Sequence, residues 1–337
     1  MKDIFIFAFN SVAPIILLII LGYFLKIINF YQDSFLKIAN KLVFKVLLPV
    51  LLFFNIYNIE SLASIDLHAI GYALAIILLL FFLGLITSAI FVKDKRQKGV
   101  IVQCIFRSNF AIIGFPIAEA IGGSEAASVV AILSAFTIPL FNILAVISLS
   151  IYSTEDNNTI SIKKILKEIA FNPLIRGVAF GLLFILIRSF IPVNSQGELI
   201  FTIKNNMKFL YCAIEDLAAM ASPLALIVLG GQFTFKSIKD MKGMIFLGTF
   251  WRIVLAPAIG ILGAILLTKY TAINIDCINY PAYIALFGSP VAVSSAIMAG
   301  AMGSDESLAG QLVVWTSLGS LFTIFIIVFL LKFLFII

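Results

Sequence analysis

The chain has 337 residues, of which 62% are hydrophobic and only 12% are charged, and its mean hydropathy is +1.15. About a quarter of the residues of a soluble domain are charged, so this composition excludes an ordinary soluble protein. The net charge of +6 comes largely from lysines in short connections, which is typical of loops beside a membrane and not of a nucleic-acid-binding patch.

Ten apolar runs follow one another along the chain, each near the ~20 residues that cross a hydrocarbon core as a helix. The predicted spans are 4–26, 36–57, 68–92, 99–121, 125–151, 170–191, 209–231, 243–268, 280–300 and 306–335. The run from Ile4 to Leu25 is too long for a cleavable signal peptide. A polar stretch divides the spans into two sets of five, so the predicted organisation is a repeat over 1–152, a short cytoplasmic linker over 153–167, and a second repeat over 168–337.

Lysine and arginine are concentrated in four connections, at 26–41, 93–98, 163–167 and 236–242. If all ten runs cross the membrane, these connections lie on one side. Positive charge marks that side as cytoplasmic. The sequence therefore predicts a multi-pass protein of the cytoplasmic membrane with both termini outside.

The two halves carry matching interruptions. Span four contains Gly114 and Pro116, and span nine contains Gly288, Ser289 and Pro290, so that each has a G-x-P in the fourth span of its half. Halves with an odd number of spans must be inverted relative to each other if they are homologous. Broken helices at corresponding positions of inverted repeats indicate a transporter binding site near the membrane midplane.

Several of these motifs resemble those of one known family. The segments that resemble motifs of the auxin efflux carrier family are 107–116, 221–226, 288–290 and 298–299. The resemblance covers the chain end to end, and the short linker is similar to that of prokaryotic members. It implies an all-α membrane protein of ten transmembrane helices in two inverted five-helix repeats. It also implies that helices four and nine cross at their prolines, and that a transport part moves in an elevator-like way against a scaffold.

The predicted substrate site is the region of the two interruptions. Asn109 can donate to a carboxylate without adding charge, and the resemblance implies that an asparagine at this position contacts substrate; a hydrogen bond to a neighbouring helix is the alternative. Backbone amides released at the breaks favour an anion. The predicted substrate-binding residues are Asn109, Gly114, Pro116, Gly288, Ser289, Pro290 and Ser294.

A second set of polar residues within the spans consists of candidates for ion coupling or pairing, because such groups are costly there. Glu119 suits proton exchange if it is buried, but it lies near the outer end, where a solvated carboxylate is as good an interpretation. Arg107 either reaches the headgroups or binds substrate, and Arg252 either pairs or reaches the headgroups. Gln232 and Gln103 are weaker candidates.

These observations predict a secondary transporter of small organic anions, with an organic acid and the lipid bilayer as partners. A proton or sodium gradient, or the substrate's own gradient, would drive it; a channel-like or sensor protein on the same fold is the alternative, and a homodimer is left open. The chain has no P-loop, its one histidine is His68, and its three cysteines are scattered. No enzyme activity, cofactor, metal site or nucleic-acid partner is therefore expected.

Overall fold

A computed structural model describes residues 2–58, 66–152, 171, 173–192, 199–232, 241–271 and 275–337. Within these ranges the regular elements are all helices, and Ser108 and Val291 form an isolated β-bridge. The helices are α1 Lys2–Ile27, α2 Asp33–Leu42, α3 Leu48–Tyr57, α4 Leu67–Phe91, α5 Lys95–Phe106, α6 Phe115–Ile151, α7 Pro173–Arg188, α8 Ile203–Asn206, α9 Lys208–Gly231, α10 Lys242–Phe250, α11 Ala256–Tyr270, α12 Asn279–Gly288, α13 Ser294–Ala301 and α14 Glu306–Phe333.

Five helical stretches in the described ranges are long and apolar enough to cross a membrane. They are Leu67–Phe91, Ile112–Ile151, Lys208–Gly231, Lys242–Tyr270 and Glu306–Phe333. Ala13–Ile27 adds a shorter apolar helix. The predicted linker 153–167 lies outside the described residues.

Three prolines follow a wide turn of helix. Pro49, Pro116 and Pro257 are each the second residue of a helix that continues directly from a five-residue π-helical turn. A proline lacks the backbone N–H and clashes with the carbonyl four residues earlier. In a π turn each backbone N–H bonds to the carbonyl five residues earlier instead of four. These prolines therefore lie in continuous helical segments without breaking them.

The break in span four is therefore not at Gly114–Pro116, where the sequence predicted it. Helix α5 ends at Phe106, and the non-helical backbone is at Arg107 (φ −90°, ψ 107°) and Asn109 (φ −80°, ψ 43°). The break in span nine does lie at its proline: Ser289 is extended at ψ 149°, because the ring of the following proline disfavours helical backbone in the residue before it.

Spans four and five meet at a glycine. Helix α6 has helical geometry except at Gly123, whose φ is +67°. Residues with a Cβ rarely adopt this region, whereas glycine does so readily. At the preceding Gly122 an added Cβ would lie 2.9 Å from the ring of Pro281, so the pair of glycines allows α6 to bend while touching α12.

Four helices pack backbone to backbone. A Cβ added to Gly22 of α1 would lie 1.9 Å from the carbonyl oxygen of Ile227 in α9, and one added to Gly230 of α9 would lie 1.9 Å from that of Ile19 in α1. Helix α7 approaches α3 in the same way at Gly177. Small residues permit such close approach between membrane helices, and α9 also packs on α3. We call α1, α3, α7 and α9 the frame helices.

Arg252 connects the ends of the two broken helices, α5 and α12, through hydrogen bonds to their carbonyls. Its side chain is fully buried, in the π turn between α10 and α11. One terminal nitrogen donates to the carbonyl oxygen of Ile105 at 3.1 Å, and the other donates to that of Phe287. These carbonyls belong to the last turns of α5 and α12, which the breaks leave without helical partners. A cation at two helix C-termini also complements both helix dipoles.

We predict that Arg252→Met lowers the thermal unfolding midpoint of the purified protein substantially. Each carbonyl left buried without a donor costs about 1–3 kcal/mol. Arg252→Lys should fall between the wild type and Arg252→Met, because a single ammonium lacks the planar fork that reaches two acceptors. Lys242→Met is the matched control, since it removes an exposed cation from the adjoining helix α10. A methionine variant as stable as this control would contradict the assigned role.

Candidate functional site

The two breaks meet. Ser108 and Val291 form an antiparallel bridge, and the backbone N–H of Asn109 donates to the carbonyl oxygen of Pro290 at 2.7 Å. The first break thus pairs with the second at the three residues after α5 and not at Pro116. We call this pairing the crossing.

Much of the backbone released at the crossing already has a partner. The N–H of Val291 donates to the Thr316 hydroxyl oxygen in α14 at 3.1 Å. The N–H groups of Ile112 and Ile113 donate to the Asn109 carbonyl at 3.2 and 3.0 Å, and that of Ser295 donates to the Ala292 carbonyl. Several of the amides that the sequence suggested as anion donors are therefore satisfied within the chain.

Unsatisfied donors at the crossing are side chains instead. The buried side chains beside the breaks that have an unpartnered nitrogen or oxygen within the described structure are Ser108, Asn109, Ser289 and Ser295. Each is at most 4% exposed. Hydroxyls and an amide NH₂ can all donate, and a buried donor without an acceptor is costly. The crossing therefore suits a ligand or water that accepts hydrogen bonds.

Arg107 lies directly at the first break. It is 4% exposed, so the interpretation that it reaches the lipid headgroups is wrong; the polar partners around it remove the need to do so. One terminal nitrogen donates to Asn142 Oδ1 at 2.9 Å and to Ser294 Oγ at 3.0 Å. The other contacts Gln103 Oε1 at 3.4 Å and Met298 Sδ at 2.9 Å. The structure thus brings Arg107, Ser294 and the weaker candidate Gln103 together.

Pro116 and Glu119 line a different feature, a cavity of about 520 Å³. Its other walls come from the frame helices α1, α3 and α9, including Glu215 and Pro223. The side chain of Glu119 is exposed towards this space. We call this space, lined by α6 and the frame helices, the frame cavity.

The remaining predicted residues have less direct positions. Gly114 lies in the π turn, where an added Cβ would come within 2.6 Å of the Phe110 ring. Gly288 ends α12 and is buried. Gln232 follows the last residue of α9, where its backbone N–H bonds to the end of that helix. Arg252 does not reach the headgroups either, since it is fully buried against backbone carbonyls.

Sequence reasoning assigned no role to Asn142, Thr316 or Met298, although Met298 lies in a segment that resembles a family motif. Asn142 could have been found, because an amide within an apolar span is costly and so is a default functional candidate. Thr316 gives no such signal, since its hydroxyl also bonds the Leu312 carbonyl of its own helix at 2.6 Å, as many membrane threonines do. Met298 gives no signal either, because a methionine is ordinary in an apolar span and only the structure places its sulfur beside the guanidinium of Arg107.

Comparison with known proteins points to a transporter. The sequence model of a family described as "Membrane transport protein" matches residues 7–328. An uncharacterized transporter of the archaeon Methanocaldococcus jannaschii is 25% identical over 253 residues, which are 73% of this chain and 73% of the relative. The protein is thus a membrane transporter and not an enzyme. With a match across nearly its whole length, the chain belongs to the membrane transport protein family, that of the auxin efflux carriers.

Proposed function

We propose that the protein is a secondary transporter that carries small organic anions, carboxylates above all, across the cytoplasmic membrane. The observation that carries this proposal is the set of buried, unpartnered donors at the crossing, in particular Asn109 Nδ2 and the hydroxyls of Ser108 and Ser289. A carboxylate only accepts hydrogen bonds. It would satisfy these donors where neighbouring protein groups do not.

Hydrogen bonds between the segments that connect the predicted spans support ten membrane-spanning helices in two inverted repeats. The Asp305 N–H donates to the Arg96 carbonyl at 3.1 Å, and both residues lie in connections that ten crossings would put inside. Asn279 Nδ2 donates to Asp66 Oδ2 at 3.0 Å, and both of these lie in connections that would be outside. Breaks in the fourth span of each half, paired backbone to backbone, are what an inverted repeat would produce.

An elevator-like movement is favoured by how the helices group. The frame helices pack backbone to backbone, whereas the crossing belongs to α5, α6, α12 and α13 outside that group. The frame cavity lies between the two, with Pro116 on one wall and Pro223 on the other. We propose that the frame helices are the scaffold and that the crossing moves against them with its substrate.

Coupling to an ion is proposed for the frame cavity. Glu119 and Glu215 both line it, and they come from helices on opposite sides of the proposed moving surface. A carboxylate in such a place can exchange a proton or attract a sodium ion as the cavity opens and closes. Transport that depends on pH or on sodium would distinguish these two choices from transport driven by the substrate's own gradient.

The direct test is counterflow in proteoliposomes. Vesicles loaded with propionate, succinate or indole-3-acetate would be diluted into trace amounts of the same labelled acid. A transporter accumulates label transiently and saturates with concentration. A channel-like protein does not produce counterflow, and a sensor moves no label, so either result would replace the proposed function by its alternative.

We predict that Asn109→Ala weakens acid binding while the protein remains folded. A hydrogen bond to a charged group is worth about 1.5–3 kcal/mol, which corresponds to about a ten- to hundred-fold loss of affinity. Binding and the thermal unfolding midpoint would be measured on the same preparation. Asn40→Ala, at a half-buried asparagine of α2, controls for the loss of an amide. Lower stability with unchanged affinity would instead assign Asn109 to helix packing.

We also predict that the N-terminus is outside the cell and the connection before α5 is inside. Cys104, Cys212 and Cys277 would first be replaced, because the last two are exposed. In that background, Lys2→Cys should react with a membrane-impermeant maleimide in intact cells, and Lys95→Cys only after permeabilisation. Labelling in the reverse order would invert the proposed topology.

A further inference from the structure

The guanidinium of Arg107 carries a buried positive charge that the surrounding protein does not balance. Its hydrogen-bond partners in the described chain are Gln103, Asn142, Ser294 and Met298, all of them neutral. Buried charges are normally paired with an opposite charge, because removing an ion from water is costly. Arg107 therefore has the surroundings of a residue whose partner is a ligand.

The position of Arg107 relative to α13 makes the imbalance larger. Ser294, which accepts its hydrogen bond, is the first residue of that helix. A helix N-terminus is itself a region of partial positive charge, so a cation there is disfavoured and an anion favoured. Ser295, the next residue, is 4% exposed and its hydroxyl has no partner among the described atoms. Arg107, the start of α13 and the Ser295 hydroxyl, all beside the breaks, would each be stabilised by an anion.

The two terminal nitrogens of Arg107 differ in the quality of their partners. Nη2 donates to two good oxygen acceptors, Asn142 Oδ1 at 2.9 Å and Ser294 Oγ at 3.0 Å. Nη1 has a long contact of 3.4 Å to Gln103 Oε1 and a contact to Met298 Sδ, and a thioether sulfur is a weak acceptor. The Nη2 side is thus anchored, and the Nη1 side can exchange its partners for a better one at little cost.

Arg252 provides the contrast within the same protein. Both of its terminal nitrogens meet backbone carbonyls at helix C-termini, where the dipole favours a cation. The terminal nitrogens of Arg252 thus both have carbonyl partners at helix C-termini, whereas the side chain of Arg107, a residue that directly follows α5, bonds no backbone carbonyl of the described chain and has only neutral side-chain partners there.

We propose that Nη1 of Arg107 binds one carboxylate group of the transported acid, with Asn142 and Ser294 orienting the guanidinium and Met298 giving up its contact. This inference rests on the proposed function and makes it more specific. One uncompensated cation suits one carboxylate, so the preferred substrates are monocarboxylates. Among the described residues the other buried cation, Arg252, is already engaged, so a second carboxylate would be buried without a cation of its own.

The test compares each acid with its uncharged amide. Binding of propionate, indole-3-acetate and succinate, and of propionamide, indole-3-acetamide and succinamide, would be measured by thermal shift and calorimetry on the purified full-length protein. The wild type should prefer the monocarboxylates to their amides and to succinate. Arg107→Gln should lose about ten- to a hundred-fold in affinity for the acids and little for the amides. The preference for acid over amide should therefore collapse.

Three further variants separate charge recognition from folding. Arg107→Lys keeps the charge and should retain part of the preference. Asn142→Ala releases the anchored side and should reduce acid affinity less than Arg107→Gln does. Met298→Leu removes the weak acceptor at similar volume and should leave acid affinity unchanged or higher. The ratio of acid to amide affinity is read on folded protein, so a lower yield of any variant does not affect it.

The possible failures are distinguishable. If the wild type binds and transports acids but Arg107→Gln keeps the full preference for acid over amide, the Arg107 subsite is wrong and the proposed function stands. If the wild type prefers succinate to propionate, the monocarboxylate assignment is wrong. If no acid binds to the wild type or shows counterflow, the proposed function fails and this inference fails with it.

Discussion

Every backbone group released by a helix break in an apolar chain needs a partner inside the protein, because lipid offers none. This constraint explains the arrangement of the crossing. The N–H of Asn109 goes to Pro290 of the other break, and the N–H of Val291 goes to a threonine of α14. One carbonyl at the end of α5 and one at the end of α12 accept hydrogen bonds from the same arginine, Arg252. With so much of the backbone satisfied, donors for a ligand have to come from side chains.

The two buried arginines, Arg107 and Arg252, differ in their surroundings, and this difference underlies the separate roles proposed for them. The difference lies in the sign of the neighbouring helix end. Arg252 meets the C-terminal ends of α5 and α12, where its charge is favourable. Arg107 directly follows the last residue of α5, but its side chain bonds none of the carbonyls there and instead meets the first residue of α13 and other neutral side chains. The first stabilises the crossing without substrate, whereas the second leaves an electrostatic requirement that an anion can fulfil.

Composition and the apolar runs were sufficient to predict a helical membrane protein, the paired interruptions and the family resemblance indicated a transporter, and Pro290 correctly indicated the second break. Pro116 misled, because a proline is tolerated in the first turn of a helix that follows a π turn, and the real break at Arg107–Asn109 contains neither proline nor glycine. The role of Arg252 could not be predicted, since its acceptors are 147 and 35 residues away in sequence. Asn109 and Ser294 could be selected as polar residues beside a break, but their partners depend on the pairing of two distant segments.

The π turns before Pro49, Pro116 and Pro257 have a consequence for the orientation of the helices that contain them. A turn with one additional residue delays the helical phase by about 100°. Side chains before and after each of these π turns therefore point in different directions around the helix axis. In the segment Lys242–Tyr270 the part before the π turn packs on α14, and the part after it packs on α12 and α4. One continuous helix can thus present its apolar stripe to different neighbours along its length.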